Sequence, residues 1–421
     1  MAKIVKAVLM KKKYCQLAEK SVSNLPSSSE NPNFVAQNKK MEKRNLVTIY
    51  LITLIAVMGV ASITPAFPSI REHFNISASQ VTLLITVFTF PGIFLAPLAG
   101  LLADRWGRKT ILIPSLLLFA AAGVACFFTN DWKILLILRF FQGIGVASLG
   151  SLNITLIGDL FSGPKRGAIM GYNASVLSVG TATYPAVGGA LAMAGWQYPF
   201  LLSFLAIPAA ILVMFCLNNP EPDEPPKLKD YLKRTWKNIN KKTVWGLFII
   251  TVLLFFILYG AYLSYFPQLM VERLEATDFQ IGLFMSGFSV VTAITSSQIK
   301  HINKKLRPKT QLTISFFLYM ISMLLLSFAG SWWVLLIPLV TFGLGHGMLI
   351  PGVQTLLVGF APLSERAGFM SINSMVLRIG QTFGPLFIGI FYALGGTSAA
   401  FLGGALVALA MIIISYFMIK L

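Results

Sequence analysis

Charge is scarce in this sequence, and negative charge scarcest of all. Of 421 residues only 12% are Asp, Glu, Lys or Arg, while 56% are hydrophobic. Soluble domains carry about 25% charged residues, so a wholly water-facing surface is excluded. The 15 acidic residues are outnumbered by 34 basic ones, and each Asp or Glu falls in a tail, a loop or at a helix end. No carboxylate is therefore expected deep inside an apolar run. Cysteine is nearly absent: Cys15, Cys126 and Cys216 lack metal-ligand spacing, and inert thiols are the simplest reading. No G-x-x-x-x-G-K-[ST] loop occurs, which argues against a bound nucleotide phosphate. No nucleophile–base pair or metal cluster occurs either, so no enzyme activity, cofactor or metal is expected. The net charge of +19 would suit nucleic acid, but the Lys and Arg sit in loops with no interleaved aromatics. They read as orientation signal and as contacts to anionic membrane lipids.

What the chain has in abundance is long apolar runs. About 20 apolar residues let a helix cross a hydrocarbon core. Six such spans lie near 46–68, 80–102, 110–129, 132–156, 167–192 and 197–217. Six more lie near 244–268, 279–299, 310–329, 332–358, 367–394 and 397–419. The expected division is a tail over 1–45, a bundle over 46–217, a Pro- and Lys-rich linker over 218–243 and a second bundle over 244–421. The tail is read as cytoplasmic, and as disordered or left untranslated if Met41 is the start. Positive charge concentrates on the side holding the tail, the 103–109 turn and the linker. Only Arg71, Lys133 and Arg273 fall on the other side. By the positive-inside rule both termini face the cytoplasm.

The two halves repeat with a shift of 200 positions. Lys109 falls on Lys309, Gly143 on Gly343, Gly145 on Gly345, Asn173 on Asn373, Gly180 on Gly380 and Pro185 on Pro385. The register breaks at charges: Asp104 becomes Lys304, Arg139 becomes Leu339 and Ser178 becomes Arg378. A parallel six-helix repeat places a ligand site between the halves, near the bilayer midplane.

The turn after the second span reads Gly100-Leu101-Leu102-Ala103-Asp104-Arg105-Trp106-Gly107-Arg108-Lys109. This G-x-L-A-D-R-x-G-R-K pattern resembles the loop motif of the major facilitator superfamily. Arg139-Phe140-Phe141-Gln142-Gly143-Ile144-Gly145 resembles its fourth-helix R-x-x-Q-G-x-G motif. Gly180 to Gly189 resembles its fifth-helix antiporter motif G-x-x-x-G-P-x-x-G-G. Tyr184 stands where that motif has Gly, a bulky ring expected at the packing seam. The twin in the eleventh span keeps Gly384-Pro385 but loses the paired glycines.

The resemblance implies an all-α integral membrane protein of twelve helices, two six-helix bundles about a pseudo-twofold axis. It implies a secondary transporter of a prokaryotic cytoplasmic membrane, most similar to the drug:proton antiporter branch, acting as a monomer on a small molecule with a proton as coupling ion. Gly100, Asp104, Arg105, Gly107, Arg108, Lys109, Asp159 and Arg166 would form the cytoplasmic gate. Arg139, Gln142 and His346 are candidates for proton coupling. Arg139 lies about 10 Å in from Trp132, where a charge faces a wet cavity, a partner or backbone carbonyls. Gly180, Pro185, Gly188, Gly189, Gly384 and Pro385 would pack helices closely. Asn153, Tyr259, Tyr262, Gln354, Asn373, Arg378 and Gln381 are candidates to line the cavity. Two intramembrane Arg without an intramembrane carboxylate suit a neutral or anionic substrate better than a cation. A transporter of a defined organic anion, with Arg378 gripping it, is the rival expectation; a lipid-headgroup flippase or a sensor is more remote.

Overall fold

Every regular element among the described residues is helical, as the run of apolar spans requires. The computed structural model describes residues 32–217, 241–360 and 366–419, with side chains at 32–40, 100, 101, 104, 164, 366–368 and 371 left aside. The expectations for residues 1–31 and for most of the 218–243 linker lie outside the described residues.

The first half runs α1 (Pro32–Ala61), α2 (Phe67–Phe74), α3 (Ala78–Val81), α4 (Leu83–Thr89), α5 (Pro91–Trp106), α6 (Arg108–Phe128), α7 (Trp132–Ala147), α8 (Leu149–Leu160), α9 (Gly163–Ala192) and α10 (Ala206–Cys216). A 3₁₀ stretch, Tyr198–Leu205, leads into α10. The second half runs α11 (Lys242–Phe255), a π-helical stretch Phe256–Leu263, α12 (Ser264–Leu274), α13 (Asp278–Ser297), α14 (Ile299–Lys305), α15 (Pro308–Phe328), α16 (Trp332–Phe360) and α17 (Arg366–Met418). The first helix begins at Pro32, well before the expected span at 46.

Among the described residues ten stretches are long and apolar enough to cross a membrane. Two features separate this from the expected twelve. The Ile372–Met418 stretch is two helices, broken where Gly395 and Gly396 leave helical geometry and Gly396 takes φ +67. The 30-residue α9 is not among the ten, since Ser, Thr, Gly, Tyr and Pro dilute its apolar run over 174–192.

The repeat shows in the backbone. α6 and α15 both have 21 residues and start 200 positions apart. Asn75 and Glu275 both take left-handed φ, at 49 and 51. Ser77 and Thr277 then cap their helices with reciprocal bonds to Gln80 and Gln280, a capping box in each half. Gly107 turns between α5 and α6 with φ 89, whereas its counterpart Arg307 sits at φ −67. The loop motif thus belongs to one half in shape as well as in charge.

Each half has its own core. One gathers residues such as Ile52, Leu84, Phe119, Leu152 and Phe200, the other Leu254, Phe316, Met323, Leu349 and Phe401. Tyr259 and Leu263 pack against both. Outward, Phe128 and Phe328 are 74% and 79% exposed, a surface suited to lipid rather than water.

The halves meet at one end. α9 lies on α13 so closely that a Cβ on Gly189 would strike the Asp278 carbonyl oxygen, and one on Gly282 the Pro185 carbonyl oxygen. Pro185 breaks the helical ladder, and the next amide, Ala186 N–H, donates across the seam to Ser286 Oγ at 3.0 Å. Ser69 donates to the Asp278 carboxylate, and Thr382 donates to Thr89 at 2.9 Å. The Ser79 and Tyr265 hydroxyls, 3.5 Å apart, also join the halves at this end. Toward the other end Gly150, Gly171 and Gly359 face open space.

A valine at Gly282 overpacks this closed seam, at a cost of about 1–3 kcal/mol. Gly282→Val therefore shifts the protein toward a parted seam by about 5–150-fold. A cysteine placed at buried Gln268, in a chain freed of its native cysteines, then reacts faster with a water-soluble maleimide. An unchanged rate contradicts the seam.

Candidate functional site

A cavity of about 320 Å³ lies between the halves, beneath the closed seam. Its wall takes Val57, Phe88, Gly150, Leu177 and Pro185 from the first half. Tyr259, Tyr262, Phe288, Thr292, His346, Arg378 and Gln381 come from the second. Of the expected cavity residues, Tyr259, Tyr262, Arg378 and Gln381 line it. Asn153 does not: it is buried inside the first half, where its Nδ2 donates to Thr53 and, at 3.4 Å, to Asn173. Asn373 is buried away from the cavity with its Oδ1 unbonded among the described residues. Gln354 is exposed on α16. Spacing alone gave these three no face; helix rotation decided it.

The two tyrosines come from the π-helical stretch. Gly260 in that stretch presses on the Gly384 carbonyl oxygen, a contact no side chain could share. The wider turn rephases the helix, and Ser264 Oγ reaches back to the Tyr259 carbonyl at 2.7 Å. Nothing in the apolar run betrayed this. The paired glycines of the antiporter-like motif find a role in the same close-contact chemistry. Gly188 leaves room for the Ser62 carbonyl, and Gly189 for Asp278. Gly180 abuts Leu54 and Val57, and Gly384 lies on Phe255 and Phe256. Pro185 and Pro385 are buried inside their helices. Tyr184, expected at the seam, instead turns into the first-half core beside Gly180, so its bulk does not keep α9 and α13 apart.

Arg139 stands apart from the cavity. It is 1% exposed; its Nε donates to the Leu84 carbonyl at 3.3 Å and its Nη1 to Gln142 Oε1 at 2.6 Å. Gln142 Nε2 donates on to Ser203 Oγ at 2.8 Å. A Cβ at Gly123 would strike both partners of that bond, so this glycine makes room for the network. The guanidinium lies 4.1 Å from the centre of the Phe88 ring, and Phe88 forms the cavity wall. Arg139 and Gln142 are thus one ring removed from any ligand.

His346 does line the cavity. Its Nδ1 shares a short hydrogen bond with the Tyr319 hydroxyl, and Phe288 and Phe342 stand beside the imidazole. Tyr319 was not foreseen: a Tyr in an apolar span carries no mark of its partner. Arg378 Nη1 donates to Gln381 Oε1 at 3.0 Å.

At the far end from the seam, Arg108 Nε meets Asp159 Oδ2 at 3.2 Å, the Arg buried and the Asp partly exposed. Lys109 donates to the Met214 carbonyl at 3.2 Å, and Arg105 is exposed. Arg166 is exposed near Gly158. The side chain of Asp104 and the surroundings of Gly100 lie outside the described residues. The Arg108–Asp159 pair joins two helices of one half. By itself it cannot lock one half to the other. Asp278 stands at a helix start as the sequence predicts, yet it is buried at the opposite end with Ser69.

The sequence profile described as the Major Facilitator Superfamily matches residues 49–277 and 263–421. A bacillibactin exporter of Bacillus subtilis (strain 168) is 30% identical over 361 residues, spanning 81% of this chain and 88% of that one. Multidrug resistance protein 1 of the same organism is 27% identical over 359 residues, spanning 84% and 91%. The quinolone resistance protein NorA of Staphylococcus aureus (strain Mu50 / ATCC 700699) is 23% identical over 358 residues, spanning 83% and 90%. Among solved structures, a bacterial homologue of the human lysosomal transporter Spinster, inward-facing and unoccupied, superposes with a TM-score of 0.72 at 17% identity, covering 89% of this chain and 95% of that one. The human organic anion transporter MFSD10 superposes with a TM-score of 0.68, also at 17% identity, covering 89% and 99%. Two helical cores about one central cavity, three motifs at their expected spacing and these matches together make the chain a member of the major facilitator superfamily, a multi-pass membrane transporter similar to a bacterial bacillibactin exporter and to bacterial drug-resistance proteins.

Proposed function

We propose that the protein exports small amphipathic molecules from the cytoplasm in exchange for protons. The observation that carries this reading is the placement of His346 in the cavity wall, bonded to Tyr319. Among the described lining residues it is the one whose side chain ordinarily titrates near neutral pH. The names of the relatives, two of them resistance proteins and one an exporter, support export over uptake. Residues 46–217 and 244–421 act as the two rocking bodies, joined by the 218–243 linker. The Gly107 turn and both termini face the cytoplasm, and the seam at Gly189 and Gly282 is the outer gate. In this arrangement the cavity takes its load from the cytoplasm.

Closing the inner end requires contacts from the first half to the second. Gly100, Asp104, Arg105 and Lys109 are the residues proposed to make them, while Arg108 and Asp159 hold the turn in shape. Exposed ion pairs contribute about 0–1 kcal/mol each. A group of them that forms in one state only is still enough to bias two states of similar energy. Arg139 and Gln142 act on the cavity through Phe88, as positioning residues.

Two measurements test this. In everted vesicles, uptake of a labelled exported compound depends on an imposed proton gradient; His346→Ala abolishes that dependence while Arg378→Lys keeps it. Gradient dependence that survives in His346→Ala contradicts the assignment. Separately, an impermeant thiol reagent applied to intact cells labels a cysteine at Lys133 and leaves one at Arg166 unmodified. The reverse pattern overturns the orientation.

A further inference from the structure

Charge in the cavity is one-sided. Among the described residues that line it, Arg378 is the permanently charged side chain, and no Asp or Glu is present. A guanidinium in the membrane interior is costly unless it finds a partner. Arg378 has five N–H donors to place, and Gln381 Oε1 accepts from one nitrogen at 3.0 Å. Arg139 offers no alternative anion site, because carbonyl, amide and ring contacts already enclose it.

Position adds a second constraint. Arg378 belongs to the second half, yet its stem lies over Gly92 of the first, where a Cβ would come 3.1 Å from its Cδ and Nε. One helical turn toward the closed end, Thr382 donates to Thr89 at 2.9 Å. The guanidinium therefore sits at the junction of the halves, just inside the point where they touch.

The walls supply a third. Phe88, Tyr262 and Phe288 line the same 320 Å³ space. The buried Tyr262 hydroxyl has no hydrogen-bond partner among the described residues, an unmet donor of a kind that native interiors seldom keep.

We infer that the cavity selects organic monoanions with an aromatic body, their carboxylate or phenolate on Arg378 and their ring against Phe88, Tyr262 and Phe288, and that it rejects lipophilic cations. This rests on the proposed function only in taking the cavity as the transport site. The anion supplies the counter-charge that the protein withholds. Because Arg378 bears on the first half, its neutralisation is sensed where the halves must part.

Isosteric probes test the charge preference without any gradient: 2-naphthoate, 2-naphthamide and 2-naphthylmethylammonium, titrated calorimetrically into the full chain in lipid nanodiscs at pH 7.5. A charge-assisted hydrogen bond contributes about 1.5–3 kcal/mol, so naphthoate binds at least about tenfold tighter than the amide. The ammonium compound does not bind measurably, and acetate, which lacks the ring, fails to displace naphthoate. Arg378→Lys keeps the order and Arg378→Gln levels naphthoate with the amide. The wild-type order decides should the glutamine variant not fold. Ammonium binding equal to that of naphthoate, displacement by acetate, a naphthoate preference that survives Arg378→Gln, or no binding by any probe overturns the inference. None of these outcomes depends on the direction of transport or on protons. A failed vesicle assay with ordered binding sinks the export reading alone, and intact proton-driven export with disordered binding sinks only this one.

Discussion

Backbone meeting backbone between α9 and α13 is the contact on which the structure depends. At Gly189 and Gly282 the missing side chains let carbonyl oxygens of the opposite half approach to a distance that any Cβ would prevent. Lipid removes the hydrophobic drive that pairs helices in water, so close packing of small residues has to hold such a seam. The Ala186–Ser286 hydrogen bond fixes its register, Ser69–Asp278 ties α2 to α13 beside it, and Thr89–Thr382 joins α4 to α17. Contacts of this kind are steep in distance, so a small displacement of α9 from α13 forfeits them.

Function follows from where this seam lies relative to charge. The cavity begins just inside it, with Arg378 at its head and His346 in its wall. One half contributes the titratable pair and the guanidinium, and the other an aromatic face backed by the Arg139–Gln142–Ser203 chain. The asymmetry visible in the repeat, where Ser178 aligns with Arg378 and Arg139 with Leu339, becomes a division of labour. Both bundles line the cavity, with unlike side chains.

Much of this was legible in the sequence because it rests on periodicity and punctuation. The apolar runs, the 200-residue register and the Gly107 turn all survive in three dimensions. The capping boxes stand in plain view too, as Ser77-x-x-Gln80 and Thr277-x-x-Gln280. Other features depend on rotation about a helix axis, which an all-apolar span does not declare. Asn153, Asn373 and Gln354 were polar enough to suggest a cavity yet point elsewhere, and Tyr184 turns inward rather than to the seam. The π-helical stretch at Phe256–Leu263 packs through Gly260 on Gly384, a residue more than 120 positions away that local propensity does not report. Tyr319 pairing with His346 is of the same kind.

A transport cycle of this kind requires the seam and the opposite end to open in alternation. Spin labels at Asn75 and Glu275, exposed beside the seam, and at Thr110 and Thr310, exposed at the other end, report both distances by double electron–electron resonance. On cycling between apo and substrate-loaded protein at two pH values, the first distance is predicted to lengthen as the second shortens. Distances that change in the same sense, or a seam that stays closed during turnover, contradict it.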